Sequence, residues 1–156
     1  MAVLCMGCQS TPARPGGTVD EVLEGFVPPL VQNALASPCF AGGKRPVMAI
    51  SRIRNETMMM RGACFDIMQA RMAEMFLGSG KVDIVATPDE LLNKSAVAPS
   101  LVLHGRLLQR TILKEGDQKQ VEFILLLSIV DVNSGVLVWN GERKAVCLCD
   151  AYVPTR

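Results

Sequence analysis

Few side chains in this sequence are equipped for chemistry, and their spacing argues against most of it. His104 is the only histidine, and it lies in the alternating run Leu101-Val102-Leu103-His104-Gly105-Arg106 with no cysteine or carboxylate pair at ligand spacing. A general base needs a partner that fixes its tautomer, so this pattern predicts a hydrogen-bonded strand histidine instead. Cys147 and Cys149 sit two apart, which on a strand places both thiols on one face, unlike the Cys-x-x-Cys spacing of redox and metal sites. Met58, Met59, Met60, Met68, Met72 and Met75 offer thioethers, but on a helical stripe such residues are expected to fill the core rather than hold a soft metal. Ala41-Gly42-Gly43-Lys44-Arg45 precedes a strand, whereas a phosphate loop follows one and opens a helix, so it reads as a linker. Lys44, Arg45, Arg52 and Arg54 form a basic face without nearby aromatics to stack nucleobases, and a solvated surface explains them. Asn55-Glu56-Thr57 matches a glycosylation sequon but is expected to form the loop and cap of the following helix. No catalytic residue, no metal site and no cofactor is expected.

The N-terminus carries a different kind of chemistry. Ala2-Val3-Leu4-Cys5-Met6-Gly7-Cys8 is a short apolar run with a small residue before cysteine, and it looks like the tail of a bacterial lipoprotein signal. Gly7 would give a peptidase access to the bond, and the Cys8 thiol would carry the lipid. Cys5 stands where leucine is usual, and no charged region precedes the run. Gln9, not aspartate, follows Cys8, which by the bacterial sorting pattern resembles an outer-membrane destination. Residues 1–8 are thus expected to be a signal remnant and 9–17 a short flexible linker, with a globular domain over 18–150 and a tail over 151–156. In that oxidising setting Cys39, Cys64, Cys147 and Cys149 have the opportunity to form a bridge, and the sequence leaves the pairing open. No segment is long enough to span a bilayer.

Composition bounds the domain itself. At 156 residues the chain suits one core, which buries roughly two-thirds of the unfolded surface. Hydrophobic residues make up 49% and aromatics 4%, so the interior must be aliphatic, supplemented by 9 Met. Lys+Arg of 16 against Asp+Glu of 15 leave a net charge of +1, which gives no long-range attraction to nucleic acid.

The elements follow from periodicity. Thr18 is placed to cap a helix through Val22, Leu23, Phe26, Leu30, Val31 and Leu35, which Pro28-Pro29 should kink or split. Pro46 to Arg54 reads as one strand, with Val47, Ala49 and Ser51 on one face and Met48, Ile50 and Arg52 on the other. A longer helix carries Phe65, Met68, Met72, Met75 and Phe76 at steps of three and four and stops at Gly78 and Gly80. Lys81 to Ala86 reads as a short strand, and Thr87 caps a brief helix opened by Pro88-Asp89-Glu90. Leu101 to Leu113 is the next strand, ended by Lys114-Glu115-Gly116-Asp117. From Val121 onward Val121, Phe123, Leu125, Leu127 and Ile129 share one face while Ile124, Leu126 and Val130 fill much of the other. That predicts a central strand covered on both faces. Asp131-Val132-Asn133-Ser134-Gly135 turns the chain into a strand carrying the only tryptophan, Trp139, expected in the core. The sum is an α+β fold with an α/β-like start: a mixed four- to five-stranded sheet with helices packed on it and a C-terminal antiparallel meander.

These residues carry a family resemblance. The block from Pro46 to Thr57, the helix after it, and Gly78-Ser79-Gly80-Lys81-Val82 resemble the globular domain of the LpoB family. The run from Leu125 to Trp139 is similar to the strand, turn and tryptophan strand of LpoB and, more loosely, of CsgG-like and TolB N-terminal domains. The similarity runs over most of residues 44–146, with Cys8 in the corresponding relative place. It implies a noncatalytic outer-membrane lipoprotein whose periplasmic domain binds and activates a class A penicillin-binding protein in peptidoglycan synthesis; the sequence leaves the oligomeric state open, with a monomer favoured. The alternative it implies is a CsgG-like structural or secretion-associated envelope lipoprotein that self-assembles. Fully extended, the linker Gln9–Gly17 reaches about 30 Å, short beside the long Pro-rich linker of the family. Either the partner approaches the outer membrane or the chain serves another envelope role. The resemblance carries over no partner-contact residue.

Overall fold

The structure, a computed structural model, describes residues 19–58, 62–85, 97–113 and 119–148. Cys8, the linker, the Thr18 cap, the Thr87–Glu90 helix start, the Lys114–Asp117 turn, Cys149 and the tail lie outside them.

The first helix, α1 (Val19–Leu35), runs through Pro28 and Pro29 without being split. An interior proline costs about 3 kcal/mol, but Phe26, Val27, Leu30, Val31 and Ala34 are all buried along one stripe. Each large member contributes about 1.5–3 kcal/mol by burial, so packing holds the helix where propensity would break it. A single 3-10 turn (Pro38–Phe40) and the exposed segment 41–45 lead to β1 (Val47–Ile50).

The expected single strand over Pro46 to Arg54 is instead two. β1 is followed, after Ser51-Arg52-Ile53, by β2 (Arg54–Glu56). Both pair in parallel with β4 (Leu101–Leu113), Ile50 opposite Leu103 and Arg54 opposite Arg106. Three residues therefore face two, His104 and Gly105, which is the two-against-one mismatch of a bulge extended by one. The extra residue reverses the alternation. Ile53 turns into the core, and Arg52, expected on the face of Met48 and Ile50, is exposed. Gly105 makes this possible, since a Cβ there would lie 2.9 Å from Ile53 Cγ1 and 3.1 Å from Leu127 Cδ2.

Asn55 and Glu56 belong to β2, not to a helix cap, because α2 (Gly62–Gly78) starts six residues later than the end of β2. Phe65, Met68, Met72 and Phe76 are buried on its inner stripe, with Met75 packed beside them. The chain leaves α2 through Gly80, whose φ of 67° is the left-handed conformation that ends helices. β3 (Asp83–Val85) then pairs in parallel with β1. β4, β5 (Lys119–Asp131) and β6 (Leu137–Leu148) form the antiparallel meander.

The sheet has six strands, one more than expected because β1 and β2 are separate, in the order β3-β1-β4-β5-β6 with β2 on β4. It is mixed, and β5 is central as its sequence demanded. Only one face of the sheet is packed by the described helices. Val121, Phe123, Leu125, Leu127 and Ile129 join α1 and α2 in one hydrophobic cluster, while Ile124, Leu126 and Val130 on the opposite face are half-buried. The expectation of helices on both faces does not hold among the described residues. Cross-strand neighbours provide the physical substitute: Leu126 lies between Arg106 and Glu142, and Ile124 between Leu108 and Lys144. The aliphatic stems of such charged side chains shield apolar neighbours while their heads stay in water.

Candidate functional site

The residues considered for chemistry are dispersed. His104 is exposed, and its Nδ1 is 3.0 Å from the hydroxyl of Ser51, which also donates to the Leu103 carbonyl at 2.9 Å. The histidine thus pins the bulge to β4, in keeping with a hydrogen-bonded strand residue. Cys39 is a free, half-buried thiol, 2.9 Å from Ser37 Oγ. Met68 and Met72 are core residues, whereas Met58 is in solvent. Among the described residues no group of three His, Cys, Asp or Glu is placed to hold a metal.

Charged groups at the surface pair with one another instead of converging. Arg106 grips Glu56 through two parallel hydrogen bonds, 2.8 Å from Nε to Oε1 and 3.0 Å from a terminal nitrogen to Oε2. That donated hydrogen bond holds the Glu56 carboxyl below its ordinary range and Arg106 above its own. Lys144 meets Glu142 at 2.9 Å and is pushed up by that bond. The Arg106–Glu56 pair joins β2 to β4, the Lys144–Glu142 pair lies within β6, and both lie on the sheet face that no described helix covers. A shallow concavity lined by Arg52, Ile53, Arg54, Asn55 and Phe65 opens beside the bulge. The bulge that creates it left no signal in the alternation of the sequence, because the residue making room for it, Gly105, is on another strand.

The end of the sheet at the β5–β6 turn is built differently. Asp131 Oδ1 accepts the Ser134 backbone N–H at 2.8 Å and the Ser134 hydroxyl at 2.9 Å, and these bonds hold the Asp131 carboxyl below its usual range. Gly135 N–H donates to the Asp131 carbonyl at 2.8 Å with φ of 69°, a conformation that costs other residues about 1–2 kcal/mol. The turn is therefore fixed as the sequence implied. It holds Val132, Val136 and Leu137 out in solvent. Nothing local in the sequence signals this exposed apolar tip.

Trp139 corrects another expectation. It is half-buried at the rim of the core, and its Nε1 donates to Asn33 Oδ1 of α1 at 3.0 Å. The ring lies over Gly141, where a Cβ would come within 2.6 Å of Trp139 Cζ2 and 2.9 Å of Leu30 Cδ2. Tryptophan and glycine two apart thus join β6 to α1 as one unit, the indole N–H finding the polar partner such a ring needs.

Two helices on one face of a mixed sheet that ends in an antiparallel meander define the α+β class of this domain. Within that class, residues 90–145 match the family model described as peptidoglycan-synthase activator LpoB. The same fold occurs in the LpoB C-terminal domain of Escherichia coli (TM-score 0.52, 13% identity, covering 78% of this chain and 96% of that one). The LpoB C-terminal domain of Salmonella enterica gives a TM-score of 0.50 at 14% identity with the same coverage. The solution structure of Escherichia coli LpoB gives 0.51 at 13% identity, covering 95% of this chain and 79% of that one. Among curated proteins none matches. The LpoB resemblance drawn from the sequence is borne out, and the CsgG-like alternative gains no support from these matches.

Proposed function

We propose that this chain is a noncatalytic activator that binds a class A penicillin-binding protein and stimulates its peptidoglycan synthesis. The observation that carries the reading is the match to the synthase-activator family over residues 90–145, which include β4, β5 and most of β6. The paired charges of the uncovered face and the hydroxyl-bound His104 support a role in recognition. In this reading Cys8 carries a lipid in the outer membrane, residues 9–17 tether the domain, 18–150 fold as one unit in the periplasm, and the protein acts as a monomer.

Two measurements test it. The full chain with Cys8→Ser, titrated calorimetrically against the periplasmic part of a class A penicillin-binding protein from the same cells, should form a saturable one-to-one complex. No heat above dilution, at concentrations where the family role would operate, would refute the partner. Cells fed labelled palmitate should incorporate label into the native protein and not into Cys8→Ser, and an unlabelled native protein would remove the anchor.

A further inference from the structure

The direction of α1 determines which end of the domain faces away from its anchor. Trp139 and Gly141 open β6, and they touch Asn33 and Leu30 respectively, so moving along β6 means moving backward along α1. Lys81 Nζ donates to the Leu35 carbonyl at 3.0 Å, placing the helix C-terminus beside the entry to β3. The last turn of α1 therefore sits at the same end of the sheet as the β5–β6 turn. Its first residue, Val19, begins this 17-residue helix about 24 Å away, toward the opposite end. The segment bearing Cys8 joins the domain there.

The end opposite that junction gathers exposed aliphatic side chains. Val132 is 48% exposed, Val136 56% and Leu137 53%, and Val97, three residues before Ser100, is 66% exposed. Val132, Val136 and Leu137 are held at this end through the backbone: the Val132 N–H donates to the Ser100 carbonyl at 2.9 Å, the Ser100 N–H to the Val47 carbonyl, and the Asp131 N–H to the Val136 carbonyl. The hydrogen bonds of Asp131 with Ser134 hold the tip in one conformation before anything binds, which lowers the ordering cost of a contact. Asp131, Asn133 and Ser134 supply a polar rim around the apolar centre, the anatomy of a protein-protein contact.

We infer that the β5–β6 turn end is the docking surface for the synthase, through an apolar patch on that enzyme's periplasmic surface. This rests on the function proposed above and adds the surface and its orientation. The tether decides between occupants. Nine residues, Gln9–Gly17, reach about 30 Å, so bringing the turn end to the anchoring bilayer would draw them nearly straight back along the length of α1. With the junction end toward the bilayer the tether needs no such extension, and the turn end projects toward the wall, where a synthase is met.

The test uses the full chain with Cys8→Ser as reference and a Val136→Ser/Leu137→Ser variant of it, with Ile67→Ser, on the outer surface of α2, as control. All three positions are exposed, and thermal unfolding checks that each variant folds. Synthase affinity should fall about tenfold or more in the double variant and stay unchanged in the control. If the double variant does not fold, a photo-crosslinker at position 132 of the reference protein should capture the synthase, and failure to capture it overturns the proposal. Equal affinity of the folded double variant overturns it too. So does a variant that keeps the synthase but loses flotation with anionic phospholipid vesicles, or one that halves a dimeric sedimentation mass, because the surface would then belong to lipid or to a second copy. If the reference protein itself does not bind the synthase, the functional reading fails, and this surface with it.

Discussion

Gly141 is where a single atom has the largest foreseeable effect. Its hydrogen leaves the space that the Trp139 ring occupies, and a methyl group there has to displace either the indole or Leu30. Gly141→Ala should cost about 1–3 kcal/mol by overpacking. Because Trp139 is the only tryptophan, its fluorescence should shift to the red as the ring swings into water, and an unchanged emission maximum would show that the ring does not depend on that glycine. Asp131 and Glu56 give the residue scale a pH dependence. Both carboxyls are held below their ordinary range, Asp131 chiefly by the Ser134 N–H and Glu56 chiefly by Arg106. A depressed folded value means the contribution is complete above the unfolded pKa and is lost as the pH falls below about 4 toward the folded values. Asp131→Asn should therefore flatten part of the acid limb of the stability curve, and a limb of unchanged steepness in both Asp131→Asn and Glu56→Gln would contradict these assignments. The sequence made Asp131 and Gly135 readable as turn residues because turn chemistry is local. It did not reveal the dependence of Trp139 on Gly141, since the same two residues in a strand covered by another element would read alike.

At the scale of elements, the β1–β2 bulge and the prolines of α1 show where tertiary packing overrides pattern. The α2 stripe of Phe65, Met68, Met72 and Phe76 was legible because a helix repeats its buried face at fixed steps. The bulge was not, because Ile50 and Ile53 become equivalent only when a glycine on β4 lets the second one in. A double-mutant cycle measures this directly. Gly105→Ala alone should destabilise by about 1–3 kcal/mol, and combined with Ile53→Ala, which removes the γ carbons the new methyl would meet, the two changes together should fall short of their sum. Strict additivity in chemical denaturation would mean the two side chains do not compete for one space. For α1, Pro29→Ala should stabilise by about 1–2 kcal/mol, the relief of the interior proline outweighing the greater freedom of the unfolded chain. A lower thermal midpoint would show that the ring packs better than it disrupts. That no described helix covers the second sheet face was not legible for a related reason: half-buried leucines between charged neighbours follow the same alternation as leucines beneath a helix.

For the whole molecule, the meander was the most legible part, since the long alternating strands and the turn between β5 and β6 specify their own pairing, and the family match falls on the same stretch. The docking surface was the least legible. Val132, Val136 and Leu137 are ordinary strand and turn residues in one dimension, and they become a patch only when α1 fixes which end of the sheet lies opposite the tether. The proposed function is activation of a peptidoglycan synthase by a domain that performs no chemistry of its own. It is tested most directly by the rate of glycan-strand polymerisation from lipid-linked precursor by a purified class A penicillin-binding protein, with and without saturating amounts of this protein. With this protein saturating, the enzyme's rate should rise several-fold, and this protein alone should turn over no precursor; an unchanged rate at demonstrated saturation would refute activation.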